Sequence, residues 1–194
     1  MKVIKYNAGN VQSVIYALER LGLTTTVTDD ADELRSADKI IFPGVGEAST
    51  AMEYLKQRGL DILIRKLQQP VLGICLGMQL MCRYSEENDT QCMGIFAEAV
   101  RRFEPGTEKL KVPQVGWNSI YGLSTPLFDG IADQSHVYSV HSYYVAKGPH
   151  TIANINYGIE YSAALHKENF YGVQFHPEKS AETGLKLLEN FIAL

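Results

Sequence analysis

The chain has 194 residues, of which 45% are hydrophobic and 21% are charged, and its formal net charge is −4. These values are typical of a globular protein with a full core, and we expect one domain over residues 1–194. The charge offers no basic footprint for nucleic acid or for an anionic membrane, and no apolar run reaches the roughly 18 residues of a membrane span.

The cysteine content and the first residues favour one cellular compartment. Three cysteines, at positions 75, 82 and 92, are an odd number without a metal-like cluster, and the N-terminal residues lack the long apolar segment of a signal peptide. We therefore expect a reducing cytoplasm rather than a disulfide scaffold.

The first half of the chain predicts strands that alternate with helices. The predicted strands are Val3–Tyr6, Thr24–Thr28, Lys39–Phe42 and a short buried one that follows Pro70 and stops at Cys75. The predicted helices are Val11–Leu21, Glu47–Gln57 and one near Leu60–Leu67. Such alternation is typical of a parallel sheet with helices on both faces, whose ligands bind at the carboxyl ends of the strands. The loop Pro43–Gly46 and Cys75 both follow strands, so we expect them to be neighbours.

After Glu86 the pattern changes to short strands separated by turns, followed by a helix over about Ala181–Ile192. The strand candidates are Ala97–Phe103, Val115–Tyr121, Val137–Val145, Thr151–Ile155, Tyr161–Leu165 and Phe170–Phe175. The predicted fold is therefore α/β, with three layers: a mostly parallel central sheet flanked by helices, with an additional antiparallel strand region.

The segment Gly73-Ile74-Cys75-Leu76-Gly77 has the pattern of a nucleophile elbow, with cysteine in the place of serine. Two glycines let a strand and a helix pass closely, the helix N-terminus favours a thiolate, and the Leu76 N–H lies where an oxyanion forms. A buried cysteine at an ordinary strand-to-helix junction is the alternative that this segment alone leaves open.

A second motif, Val173–Glu178, carries His176 and Glu178 on either side of Pro177. Because Pro177 disfavours helical backbone at His176, we expect an extended segment in which His176 and Glu178 face the same side. A hydrogen bond between them leaves the second ring nitrogen for a nucleophile. Cys75, His176 and Glu178 are therefore a predicted catalytic triad, although His176 and Glu178, taken singly, also fit a solvated histidine and a first-turn carboxylate.

Together the two motifs resemble the class I (triad) glutamine amidotransferase family, over the whole chain. Within the family the chain is most similar to the glutaminase subunits of imidazole glycerol phosphate synthases, which serve histidine biosynthesis. The segments that carry this likeness are Pro43–Gly46, Val112–Asn118 and His176–Ser180. One departure is visible: Gln114 and Val115 stand where this group usually has His and Met.

The resemblance implies that the chain hydrolyses glutamine to glutamate and ammonia, without a cofactor or metal. The Cys75 thiolate attacks the carboxamide, His176 protonates the leaving ammonia and then activates water against a glutamyl thioester, and Glu178 orients the imidazole. The implied oxyanion hole consists of Leu76, Val45 and Gly44, with a peptide flip in that loop driven by the partner. The implied substrate-binding residues are Gly46, Gln79, Ser142 and Tyr143.

The resemblance also implies a partner, since free ammonia is mostly protonated at neutral pH and then no longer nucleophilic. The family forms a heterodimer with a (β/α)8-barrel cyclase subunit, which uses the ammonia to make imidazole glycerol phosphate and aminoimidazole carboxamide ribonucleotide. The expected partner interface is Asn10, Trp117, Asn118, Tyr138 and Lys179. A core aromatic at Trp117 and a solvated charge at Lys179 are the alternatives, and neither nucleic acid nor a membrane is expected as a partner.

Three other functions stay open. A glutaminase for another synthase, such as pyridoxal phosphate or anthranilate synthase, differs in its partner. A non-catalytic regulatory domain has no need of Cys75, His176 and Glu178 together, and a general cysteine hydrolase has no need of Gln79. His141 matches a family histidine beside the active site, for which a structural role is favoured.

Overall fold

The computed structural model describes residues 1–7, 11–104 and 110–194. Its helices are α1 (Gln12–Arg20), α2 (Ala31–Arg35), α3 (Ala48–Gln57), α4 (Leu60–Ile64), α5 (Leu76–Met81) and α6 (Ala181–Ala193). Its strands are β1 (Lys2–Ile4), β2 (Thr26–Thr28), β3 (Ile40–Phe42), β4 (Val71–Ile74), β5 (Tyr84–Ser85), β6 (Thr90–Gln91), β7 (Ala99–Arg102), β8 (Gln114–Ser119), β9 (His136–His141), β10 (Tyr143–Val145), β11 (Thr151–Asn156), β12 (Glu160–Lys167) and β13 (Phe170–Val173). Within the described ranges, no helix is long and apolar enough to cross a membrane.

One large sheet organises these elements, in the order β2-β1-β3-β4-β13-β12-β10-β7-β5-β6, with β11 paired to β12. From β2 to β13 the neighbouring strands run parallel. From β13 through β12 and β10 to β7 they run antiparallel. A separate two-stranded ribbon pairs β8 with β9. The predicted α/β fold, a parallel sheet extended by an antiparallel region, is confirmed.

Successive residues of the central strands belong to two different hydrophobic cores. Ile40 and Phe42 lie in one core and Ile41 in the other, and Val71 and Leu72 divide in the same way. This is the two-residue period of a strand whose two faces are both covered. Helices α3 and α4 contribute to the first core, and α1 and α6 to the second. The sheet is therefore the middle of three layers.

Two segments that lie outside the predicted strands and helices contain short regular elements. Helix α2 begins after Asp30, whose carboxylate accepts hydrogen bonds from the N–H groups of Asp32 (3.0 Å) and Glu33 (2.9 Å), as an N-cap does. Its five residues bury Leu34 alone, so the sequence shows no apolar periodicity there. The second segment, Ser85–Thr90, joins β5 to β6 through a 3-10 turn.

Candidate active site

Cys75 lies between β4 and α5 with φ 52° and ψ −108°. Positive φ is strained for a residue with a Cβ, and it is how an elbow lifts its nucleophile off the sheet edge. The flanking glycines make this turn possible: a Cβ on Gly77 would overlap the Phe42 carbonyl oxygen, and one on Gly73 would lie 2.8 Å from the Met78 nitrogen. The structure confirms the predicted sharp turn from strand to helix at Cys75.

His176 and Glu178 form a buried pair beside the end of β13. His176 Nδ1 lies 2.8 Å from Glu178 Oε1, and the two side chains are 2% and 5% exposed. The expectation of an extended segment is wrong beyond His176, because Pro177–Lys179 is a 3-10 turn. The Lys179 N–H donates to the His176 carbonyl oxygen at 3.0 Å, and this closed turn brings the carboxylate back to the ring.

The protonation of His176 depends on Cys75 and Glu178. Burial alone lowers the pKa of His176, but the nearby Cys75 sulfur, together with the hydrogen bond and charge of Glu178, outweighs it and raises that pKa to about 10. The other ring nitrogen, Nε2, is buried and has no conventional hydrogen-bond partner in the described part of the chain. Cys75 therefore acts on the ring through proximity, and Nε2 is free for proton transfer.

A cavity of about 270 Å³ opens beside Cys75. Its walls include all four of the predicted substrate-binding residues, together with Val45 and Leu76 from the predicted oxyanion hole. The lining residues are Val45, Gly46, Cys75, Leu76, Gln79, Glu87, Pro113, Val140, His141, Ser142 and Tyr143. The loop after β3 and the elbow after β4 thus meet at one sheet edge, as expected for neighbouring parallel strands.

In this structure a backbone carbonyl of the protein occupies the position predicted for the oxyanion. The Leu76 N–H donates to the Gly44 carbonyl oxygen at 3.3 Å, so the loop offers an acceptor where a second donor is predicted. Tyr6 supports this conformation, because its hydroxyl donates to the Pro43 carbonyl oxygen at 2.6 Å. Burial and, to a smaller extent, Cys75 raise the pKa of Tyr6 well above its usual value, which keeps the hydroxyl protonated as a donor.

A chain of amide groups also reaches Cys75. Gln79 Nε2 donates to the Tyr143 carbonyl oxygen and to Gln174 Oε1, both at 3.0 Å, and Gln174 Nε2 lies 3.7 Å from Cys75 Sγ. His141 Nδ1 lies 2.7 Å from the same Tyr143 oxygen. Gln174 is fully buried. Sequence reasoning did not select it, and its place directly before Phe175 and His176 was the available signal.

The family model described as Glutamine amidotransferase class-I matches residues 2–194 of the chain. The chain belongs to the class-I glutamine amidotransferase family. The chain is 56% identical over 192 residues to the imidazole glycerol phosphate synthase subunit HisH of Bacteroides fragilis, with 99% of this chain and 98% of that protein covered. It is 49% identical over 191 residues to the HisH protein of Haemophilus influenzae, with 98% and 95% covered.

Solved structures agree on the fold. The chain is similar to a putative GMP synthase component from Thermoplasma acidophilum, with a TM-score of 0.74, 21% identity and 99% and 92% of the two chains covered. A crystal structure described as glutamine amidotransferase gives a TM-score of 0.77 at 17% identity, with 99% and 97% covered. At sequence identities this low, the similarity shows a shared fold and nothing about activity.

Glu87 is a further residue of this amidotransferase cavity that sequence reasoning missed. Among the described residues that line it, Glu87 carries the one carboxylate. Its Oε2 accepts a hydrogen bond from the Ala48 N–H at 2.7 Å, and burial raises its pKa. The sequence offered no signal, since Glu87 stands in a polar segment among Glu86, Asn88 and Asp89.

Four of the five residues expected at the partner interface lie on and beside the β8–β9 ribbon. Trp117 is 53% exposed and Val115, on the same side of β8, 59%, so Trp117 is not a core aromatic. Its ring packs edge-on against Tyr138 with the centroids 6.0 Å apart, and Lys179 Nζ lies 5.9 Å from the Tyr138 centroid, within cation–π range. Asn118, half-buried, neighbours them in β8, and Asn10 lies outside the described residues.

The same ribbon is tied to the buried His176–Glu178 pair. The His176 N–H donates to the Tyr138 carbonyl oxygen at 2.9 Å, and the Tyr138 N–H donates to Ser180 Oγ at 2.9 Å. The exposed aromatic face is therefore one strand away from the histidine beside Cys75. The two residues that depart from the family pattern have different surroundings. Gln114 is buried, and its Oε1 accepts a hydrogen bond from the Tyr161 hydroxyl at 3.0 Å, whereas Val115 faces outward.

Proposed function

We propose that the chain is the glutaminase subunit of an imidazole glycerol phosphate synthase, which supplies ammonia to histidine biosynthesis. Identity of about half over nearly the full length of the HisH subunits supports this function. The observation that supports the chemistry is the buried His176–Glu178 pair beside Cys75. His176 Nε2 has no hydrogen-bond partner among the described residues, and Cys75 has a strained backbone. The domain boundaries, residues 1–194, stay a prediction.

The proposed reaction uses Cys75 as nucleophile and His176 as the proton carrier. The thiolate adds to the side-chain carbonyl carbon of glutamine, and the C–N bond breaks as His176 Nε2 gives its proton to the leaving ammonia. Neutral His176 then takes a proton from water, which displaces the thiolate from the glutamyl thioester and releases glutamate. Glu178 holds Nδ1 throughout, so the ring keeps one orientation.

The rest of the cavity is complementary to free glutamine. We assign the Glu87 carboxylate to the α-ammonium group, because opposite charge is worth most in a partly buried site. Both amide hydrogens of Gln79 are engaged with protein acceptors, so Gln79 presents its carbonyl oxygen to the substrate. Backbone at Gly46, Ser142 and Tyr143 holds the remaining amino-acid end.

The oxyanion hole requires one rearrangement. While the Leu76 N–H is bonded to the Gly44 carbonyl, it is not available to a tetrahedral intermediate. A flip of the Gly44–Val45 peptide removes that carbonyl and brings in the Val45 N–H. Loss of one such donor typically costs about a hundredfold or more in rate, so we expect a slow glutaminase until the loop flips.

The partner is proposed as a (β/α)8-barrel cyclase in a heterodimer. Exposed Trp117 and Val115 form an apolar patch, with Lys179 at the edge beside Tyr138, and aromatic residues of this kind dominate binding energy at interfaces. The hydrogen bonds between Tyr138 and the His176–Ser180 turn connect docking to the catalytic pair.

The test is glutamate release by the purified chain, alone and with the cyclase plus its nucleotide substrate. We expect a slow basal rate, a large stimulation in the complex, and a loss of about a thousandfold or more in Cys75→Ala. Trp117→Ala is expected to weaken cyclase affinity by roughly tenfold or more, whereas Ile62→Ala, an exposed apolar control on α4, keeps it. Activity that survives Cys75→Ala, or that ignores the cyclase, contradicts the proposal.

A further inference from the structure

The amide of Gln174 contacts Cys75 and is buried from solvent. Its Nε2 lies 3.7 Å from Cys75 Sγ, within hydrogen-bond range for sulfur, and its Oε1 lies 3.0 Å from Gln79 Nε2. The side chain is 0% exposed, so it has no access to the substrate cavity. Its effect on the reaction has to pass through Cys75 or Gln79.

The direction of this hydrogen-bond chain is imposed from one end. An amide alone can be turned either way round, but the Tyr143 carbonyl oxygen can only accept. Gln79 therefore has to present its NH2 group to that oxygen. The second hydrogen of the same NH2 requires an acceptor, so Gln174 presents Oε1, and its own NH2 group is left facing the sulfur.

The Tyr143 carbonyl oxygen is itself held by a second donor. His141 Nδ1 lies 2.7 Å from it, and burial lowers the pKa of His141 to about 4. At neutral pH this histidine is uncharged, and its one N–H is committed to Tyr143. The Tyr143 carbonyl oxygen, at which the hydrogen-bond chain ends, is thus held by both Gln79 and His141.

We propose that Gln174 is a positioning residue that donates a hydrogen bond from Nε2 to Cys75 Sγ and thereby stabilises the thiolate. A thiolate accepts a hydrogen bond far better than a thiol does, so a donor held on the sulfur favours the reactive form. His176 faces the same sulfur, but it must release its proton in each turnover, whereas Gln174 keeps its hydrogen. This inference rests on the proposed function, in which Cys75 is the nucleophile.

Two substitutions at Gln174 remove the donor in different ways. Gln174→Leu and Gln174→Met both remove the donor without adding charge, one with a branched and one with a linear side chain. In both variants we expect iodoacetamide to alkylate Cys75 roughly tenfold more slowly at neutral pH. We also expect the pH midpoint of alkylation to rise by about one unit or more, because that shift corresponds to the free energy of one hydrogen bond to a charged group. Alkylation is followed at the Cys75 peptide by mass spectrometry, from about pH 5 to about pH 9.

Asn190→Asp is the matched control for damage to a buried amide. Asn190 is buried, and its Nδ2 donates to the carbonyl oxygens of Leu127 (3.0 Å) and Asp129 (2.8 Å). This variant loses a buried donor away from Cys75, so its Cys75 alkylation midpoint is expected to equal that of the wild type. A midpoint shifted as far in Asn190→Asp as at Gln174 overturns the proposal.

Glutamate release in the same preparations separates the two proposals. If the wild type releases glutamate and neither Gln174 variant shifts the midpoint, the hydrogen bond is refuted and the function stands. If the wild type releases none, yet both Gln174 variants shift the midpoint, the function is refuted and the hydrogen bond to Cys75 stands.

Discussion

The two walls of the active-site cavity differ in whether their groups are already oriented for the proposed reaction. One wall, here called the elbow wall, is formed by Cys75, Leu76 and Gln79. It is supported from behind by Gln174 and the buried His176–Glu178 pair, and its hydrogen bonds are in place. The other, the loop wall, is Pro43–Gly46, where the Gly44 carbonyl takes up the Leu76 N–H. Packing fixes the first wall, whereas in the proposed mechanism the orientation of a single peptide keeps the second inactive.

In the proposed mechanism this difference assigns control of the reaction to the loop wall, which needs less free energy to rearrange than the elbow wall does. A strained nucleophile surrounded by buried side chains cannot be switched without disturbing two cores. Rotating one peptide in a glycine-flanked loop exchanges a few hydrogen bonds, and such a two-state element is what a partner can bias. The proposed scheme therefore keeps the nucleophile ready and withholds the oxyanion hole.

The largest expected effect is on the elbow wall. Gly77→Ala puts a Cβ onto the Phe42 carbonyl oxygen, a backbone atom of β3 that cannot turn aside as the end of a flexible side chain can. We expect the free energy of unfolding to fall by roughly 3 kcal/mol and glutamate release to be lost, measured by urea unfolding and activity. Gly22→Ala is the control: Gly22 has φ 77° with nothing within 4 Å, so its cost is backbone strain of about 1–2 kcal/mol. Equal costs for the two variants would contradict close packing at the elbow.

The next effect tests the support of the elbow wall by His141. Burial lowers the pKa of His141 to about 4, against about 6.5 in an unfolded chain. Between these values the unfolded chain binds a proton that the folded chain does not, so stability falls as the pH falls from about 6.5 to about 4. His141→Gln retains a donor for the Tyr143 carbonyl without this titration.

We expect the stability lost between about pH 7 and about pH 4.5 to be smaller by roughly 2 kcal/mol in His141→Gln than in the wild type. Urea unfolding at both pH values measures it. His136→Gln, the same change at an exposed histidine, is expected to leave the loss unaltered. A wild-type pH dependence in His141→Gln would show that His141 is not held neutral by burial.

The elbow wall was more predictable from sequence than the loop wall. The spacing Gly73-x-Cys75-x-Gly77 specifies a sharp turn through local sterics, and alternating apolar runs placed most strands and helices. Which way the Gly44–Val45 peptide points is not encoded by residue type, because glycine permits both orientations. The contacts of Gln174 with Gln79 and Cys75 join residues 95 and 99 positions apart, so only the folded chain reveals them.

The smallest expected effect is on the loop wall and concerns Tyr6. Its hydroxyl donates to the Pro43 carbonyl oxygen and lies where a Gly44 Cβ would be, so it restrains the peptide next to the one that flips. Tyr6→Phe removes this hydrogen bond, worth on the order of 1 kcal/mol, and leaves space beside Gly44. We expect the glutaminase rate without cyclase to rise a few-fold and the stimulation by cyclase to shrink by the same factor, because the flipped state is then more populated in the free chain.

Steady-state glutamate release with and without saturating cyclase measures both quantities. Tyr16→Phe, at an exposed tyrosine of α1, is the matched loss of a hydroxyl and should change neither. If Tyr6→Phe instead lowers the basal and the stimulated rates equally, then the hydroxyl supports the active loop rather than the inactive one. In that case the loop wall, like the elbow wall, is already organised for catalysis, and the slow step in the free chain lies elsewhere.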